Sequence, residues 1–155
     1  MTNNLSAGTR VRARDFPRAE QTFLTANVTN VSSTSYAVGS PETAVWFTAP
    51  TSGRVAVSLG AGTGNNGANA DRLLVTYEIF EGDPEDGIRH QAAEAKRGLS
   101  NPATGADTAQ YHGHTTMVDG LTPGQRYYAR VVHRVTLGSA TADISHRHIA
   151  VWPIP

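Results

Sequence analysis

Arg126-Tyr127-Tyr128-Ala129-Arg130-Val131-Val132-His133-Arg134-Val135 separates into two sets when every second residue is taken. Tyr127, Ala129, Val131, His133 and Val135 make one set, and Tyr128, Arg130, Val132 and Arg134 make the other. Alternate side chains of an extended chain leave on opposite faces, so a repeat of two predicts a strand. The first set is apolar apart from His133 and predicts the buried face. The second alternates arginine with tyrosine and valine, a mixture suited to a subunit interface or a wet sheet surface rather than a core.

The same repeat runs through Arg54-Val55-Ala56-Val57-Ser58-Leu59, where Val55, Val57 and Leu59 share a face. From Thr22 onward, short runs of β-forming residues are punctuated by Gly, Pro, Asn, Asp or Ser, the spacing of an antiparallel sandwich or barrel. Strands are predicted over 23–31, 35–38, 44–48, 54–59, 73–80, 88–93, 110–118, 126–135 and 143–151. A helical reading survives only at 91–96, too short and uncapped to matter. The fold class is therefore all-β, a sandwich of about eight strands over 22–155. Residues 1–21 differ: Arg10, Arg12, Arg14 and Arg18 accompany Pro17 among few core-forming residues, which predicts an extended arm.

The chain has 155 residues with 13 basic and 13 acidic side chains, a balance that removes the electrostatic argument for nucleic acid as a partner. It has no cysteine, so disulfides, thiolate metal sites and a cysteine nucleophile are excluded. No stretch is apolar for long enough to suggest a membrane span or a secretion leader, and no membrane partner is expected.

Gly62-Thr63-Gly64-Asn65-Asn66-Gly67 matches the dinucleotide pattern G-x-G-x-x-G, but β-forming residues follow where a helix is needed to receive a pyrophosphate. A flexible hairpin loop is the expectation. His112/His114 and His146/His148 are H-x-H pairs that could each clasp a metal ion from one strand face, yet neither has a third-ligand motif. The acidic run 81–87 lacks the spacing of a calcium loop and reads as a solvated turn. No nucleophile elbow is present. No catalytic residues, cofactor or metal are expected.

Trp46-Phe47-Thr48-Ala49-Pro50-Thr51-Ser52-Gly53-Arg54-Val55-Ala56-Val57 resembles the signature of tumour-necrosis-factor-like and complement globular-head jelly rolls. Pro50 would end one strand, Gly53 take the turn, and Phe47 and Val55 enter the core. Gly120-Leu121-Thr122-Pro123-Gly124-Gln125-Arg126-Tyr127 is similar to the L-x-P-G-x-x-Y corner of fibronectin type III modules. The whole chain, including Ala7-Gly8-Thr9-Arg10-Val11-Arg12-Ala13-Arg14-Asp15-Phe16-Pro17, resembles small jelly-roll virion proteins of tailed phages that infect actinobacteria. Lys96, the lone lysine, suits such a GC-rich genome.

The resemblance implies a non-enzymatic virion protein assembled in the host cytoplasm. Its most specific form is a homotrimeric capsid decoration subunit on the major capsid protein, with tail proteins as the other possible neighbours. Arg10, Arg12 and Arg14 would pair with carboxylates on the partner, while Phe16 and Pro17 anchor the arm and set its exit. Tyr128, Arg130, Val132 and Arg134 would form the contact between copies. The alternatives are a minor tail or fibre component, or a module binding a host surface glycan through Trp46, Tyr77, Tyr111 or Trp152.

Overall fold

The computed structural model describes residues 16–66, 71–102, 106–138 and 141–155. Arg10, Arg12 and Arg14 lie outside the described residues. Eleven strands follow in chain order: β1 (Glu20–Leu24), β2 (Val28–Val31), β3 (Ala37–Val38), β4 (Ala44–Thr48), β5 (Arg54–Asn65), β6 (Arg72–Glu81), β7 (Ile88–Gln91), β8 (Leu99–Pro102), β9 (Ala106–Val118), β10 (Arg126–Val135) and β11 (Ala142–Ile154). The helical reading at 91–96 shrinks to a single 3-10 turn at Ala95–Arg97.

Sheet A has the order β1-β11-β5-β9, with β2 also on β11; sheet B has β3-β10-β6-β7, with β4 also on β10 and β8 on β6. Every pairing is antiparallel. The first strand lies beside the last and β4 beside the last but one, and the chain crosses between the sheets from β2 to β3, from β4 to β5 to β6, and at each step from β8 to β11. That is a long hairpin rolled up on itself, the jelly-roll sandwich. The fold is all-β, as the alternating runs predict.

Each sheet turns one set of alternate residues inward. Val55, Val57 and Leu59 of β5 meet Tyr127, Ala129, Val131 and Val135 of β10 in one core with Tyr77, Ile79, Ile144, Ile149 and Val151. Phe47 and Val55 flank the turn at Gly53, which takes φ +66, so the jelly-roll signature behaves as its residues dictate. The fibronectin-like corner is also present: the Tyr127 hydroxyl accepts the Thr122 N–H at 2.9 Å, and Leu121 is buried. Tyr77 spans the sandwich, its hydroxyl 2.7 Å from Thr116 Oγ1.

Four elements depart from the sequence reading. The run 23–31 divides into β1 and β2, and β1 starts at Glu20, so the last residues of the expected arm are strand. β8 was not foreseen, because Ser100, Asn101 and Pro102 read as turn; Asn101 earns its place by donating to the Thr63 carbonyl at 2.8 Å. The glycine run is not a hairpin loop through Asn65: Gly62 to Asn65 continue β5 as its buried second half. The H-x-H geometry fails at His146, where a bulge between Ser145 and His148 breaks the pairing with β5. His146 takes φ +47 and is exposed, whereas Arg147 turns inward.

Candidate functional site

The outward residues of β5 are unusual for a central strand. Gly60, Gly62 and Gly64 occupy alternate positions there, and the bare backbone of Gly60 and Gly62 is roofed by side chains from the neighbouring strands. A Cβ at Gly60 would collide with the His148 ring, and one at Gly62 would stand 2.5 Å from Ser145 Oγ and 2.8 Å from the Tyr111 ring. Tyr111 therefore leans across β5 toward β11 and meets His146, ring centres 5.5 Å apart and edge-on. Its hydroxyl lies 3.4 Å from His146 Nδ1. Phe23 of β1 continues the row with its centre 6.2 Å from His146.

The outer face of sheet A thus carries exposed rings. Tyr111 is 68% exposed and Phe23 59%, and Trp152 and Met117 stand opposite Ala56 on the same face. Beyond the ring row is a cleft of about 180 Å³, floored by Gly62 and Gly64 and walled by Asn27, Ala109, Asp143 and Ser145. Asp143 Oδ1 accepts the Asn30 N–H at 2.9 Å, which fixes the carboxylate.

The outer face of sheet B is of another kind. Arg130 donates from Nε and Nη2 to Glu78 Oε2 at 3.2 and 3.0 Å, and Arg89 approaches the other oxygen at 3.8 Å. The Arg130 guanidinium lies 5.0 Å from the Phe80 ring centre, Arg126 lies 4.3 Å from that of Trp46, and Arg134 lies 5.0 Å from that of Tyr36. Burial, aided by the Glu42 carboxylate, pushes the Tyr128 phenol up to about 12. Tyr128, Arg130, Val132 and Arg134 do share this face, but Val132 is buried and the arginines have partners within the chain. The alternation has an internal reason: cations laid over rings and carboxylates close the surface of the sheet.

Of the aromatics proposed as platforms, Tyr77 is excluded because it is fully buried, and Trp46 sits beneath Arg126 and against Tyr128. Tyr111 and Trp152 remain. Phe23 is a further exposed ring on the outer face of sheet A, and the alternation of Gln21 and Phe23 against Glu20, Thr22 and Leu24 is the sequence signal that separates its face. Phe16 is exposed and Pro17 half-buried. They precede a groove of about 370 Å³ between β1 and β4, lined by Arg18, Glu20, Trp46 and Arg126.

Arg147 is a buried cation between the sheets. Its guanidinium donates a long hydrogen bond from Nη2 to the Ala26 carbonyl at 3.4 Å, and Nε has no partner among the described residues. Gly39 leaves the space that the guanidinium fills. His133 is buried nearby, and burial together with the Arg147 charge pushes its imidazole down to about 4. Among the described residues no group of three or more His, Asp or Glu could hold a metal ion.

No protein-family model and no curated protein matches the chain. Several solved structures are similar to it at low identity. The CBM22-1 xylan-binding domain from Paenibacillus barcinonensis is 7% identical, with a TM-score of 0.36 over 83% of this chain and 95% of that one. The CBM22-1 and GH10 modules of a Clostridium thermocellum xylanase give 10% identity and a TM-score of 0.42 over 88% of this chain and 26% of that one. A cyanophage capsid asymmetric unit gives 13% identity and a TM-score of 0.36 over the whole of both chains. Likenesses this shallow do not carry a function to this chain.

Proposed function

We propose that this chain is a non-enzymatic structural subunit of a phage particle, a trimeric decoration protein held to the capsid by residues 1–21, with the outer face of sheet A turned to the surroundings. The resemblance of the sequence to small phage virion proteins supports the setting. The observation that carries the orientation is the inequality of the two outer faces. On sheet B Arg130 is paired with Glu78 and the large exposed apolar residues, Ile88 and Val38, stand on the short strands β7 and β3, whereas the outer face of sheet A exposes Tyr111 and Phe23 beside His146 and Trp152 and Met117 beside Ala56. Large apolar side chains grouped on one face mark a surface that meets something else.

In this reading Arg10, Arg12 and Arg14 pair with carboxylates of the major capsid protein, and Phe16 and Pro17 set the direction in which the chain enters the body. The decisive experiment deletes residues 1–17. The shortened chain should fold, give about three times its own chain mass by light scattering, and be missing from purified particles; incorporation at the normal level contradicts the attachment role. Copy number on intact particles separates the two virion placements: hundreds of copies support capsid decoration, and a few to a few dozen support the tail.

A further inference from the structure

The cleft beside Tyr111 gathers polar groups that the fold leaves unused. Asn27 reaches it from the connection between β1 and β2, Asp143 and Ser145 from β11, and Gly62 and Gly64 form its floor. One carboxylate oxygen of Asp143 is held by the Asn30 N–H; Oδ2, the Asn27 amide and the Ser145 hydroxyl have no hydrogen bond to the described residues. A fixed carboxylate, an amide and a hydroxyl around a concave space with an exposed ring at its rim are the parts of a small-ligand site.

We propose that this cleft binds a single neutral pyranose unit, as the end or a side branch of a polysaccharide. Its volume of about 180 Å³ suits one sugar ring with its hydroxyls rather than a nucleotide or a peptide. The charge selects further. Among the described residues Asp143 is the one ionisable side chain lining the cleft, so phosphates, sulfates and acidic sugars meet its negative charge with no described cation in the lining to offset it. A purely apolar ligand would leave Asn27, Asp143 and Ser145 without partners. A neutral sugar satisfies all three: adjacent hydroxyls donate to Asp143 Oδ2, Asn27 donates and accepts, and Ser145 completes the ring of contacts.

Tyr111 supplies the remaining half of the recognition. Its hydroxyl is occupied by His146 and its ring rests across Gly62, so the ring is oriented before any ligand arrives. Its exposed side offers an apolar platform to the C–H face of a sugar. Preorganisation of this kind lowers the entropy cost of binding. The glycines serve both partners, admitting the tyrosine ring on one side and close approach of a ligand to the backbone on the other. The site lies within one chain, so it goes beyond the particle role and stands or falls separately from it.

The test is a backbone amide NMR titration of the full chain with glucose, galactose, mannose, xylose and N-acetylglucosamine, each to high millimolar concentration, with inorganic phosphate as the anionic comparison. At least one sugar should shift the Gly62, Gly64 and Ser145 signals saturably, and phosphate should not. Tyr111→Ala and Asp143→Ala should each weaken that sugar about tenfold or more, with other signals in place. Asn27→Ala, at an exposed loop position, provides a variant that keeps its fold if Asp143→Ala does not. The proposal is overturned if none of the five sugars shifts these signals, if phosphate shifts them more strongly, or if all three variants bind as the parent does.

Discussion

The two outer faces of the sandwich use aromatic side chains in opposite ways. On sheet B the rings are supports: Trp46, Phe80 and Tyr36 lie under arginines, and Glu78 takes up the charge of Arg130 and Arg89. On sheet A the rings are the surface itself, with Tyr111 and Phe23 lying over glycine and imidazole. The rings themselves are alike on the two faces. What differs is whether a charge from the same chain covers the ring, and that follows from which strands become neighbours.

The largest effect is expected on sheet B. Glu78 is 8% exposed in its side chain and Arg130 20%, so Glu78→Ala leaves a largely buried guanidinium with the more distant Glu42 carboxylate, at 3.8 Å, in place of a hydrogen-bonded one. Removing one partner of such a pair should cost about 3 kcal/mol in denaturant unfolding. If the loss is below about 1 kcal/mol, sheet B is as open to solvent as sheet A and the contrast fails.

Acid probes the layer between the faces. The unfolded chain takes up a proton at His133 near the ordinary imidazole value of 6.5, but the folded chain does so only near 4. Protons thus favour the unfolded state across that window. The His133 contribution to stability is present above pH 6.5 and falls progressively toward pH 4, by about 2 to 3 kcal/mol. His133→Leu should flatten that part of the stability curve measured by urea unfolding; an unchanged slope would place the acid sensitivity elsewhere.

Gly62→Val sharpens the account of sheet A. The new Cβ stands 2.8 Å from the Tyr111 ring, so the ring must swing off β5 and leave His146. A cost of about 1 to 2 kcal/mol is expected. The His146 ring signals should lose their Tyr111 contacts in NMR; retained contacts would mean that the glycine is not what lets the ring lie flat.

How much of this was legible depended on how local its cause was. β4 and β10 appear at the predicted bounds because their alternation continues from end to end. The second half of β5 did not, because Gly60, Gly62 and Gly64 have poor strand propensity, and the side chains that cover Gly60 and Gly62 come from more than forty residues away in sequence. The bulge at His146 likewise has no local mark, so two histidines at strand spacing part company. The arginine alternation of β10 was read correctly as a face, but its partners Glu78 and Phe80 come from β6, and only the pairing of those strands reveals them. Asn27 meets Asp143 and Ser145 of β11 from more than a hundred residues away, and the three carry no motif.

The most direct test of the central claim, that the rings of sheet A serve binding and those of sheet B serve the fold, is the unfolding free energy of the Phe23→Ser, Tyr111→Ala, Trp152→Ser triple variant. The account predicts a folded chain within about 1.5 kcal/mol of the parent, the sum expected of three exposed substitutions. A loss of about 4 kcal/mol or more would show that those rings are part of the structure, and would contradict it.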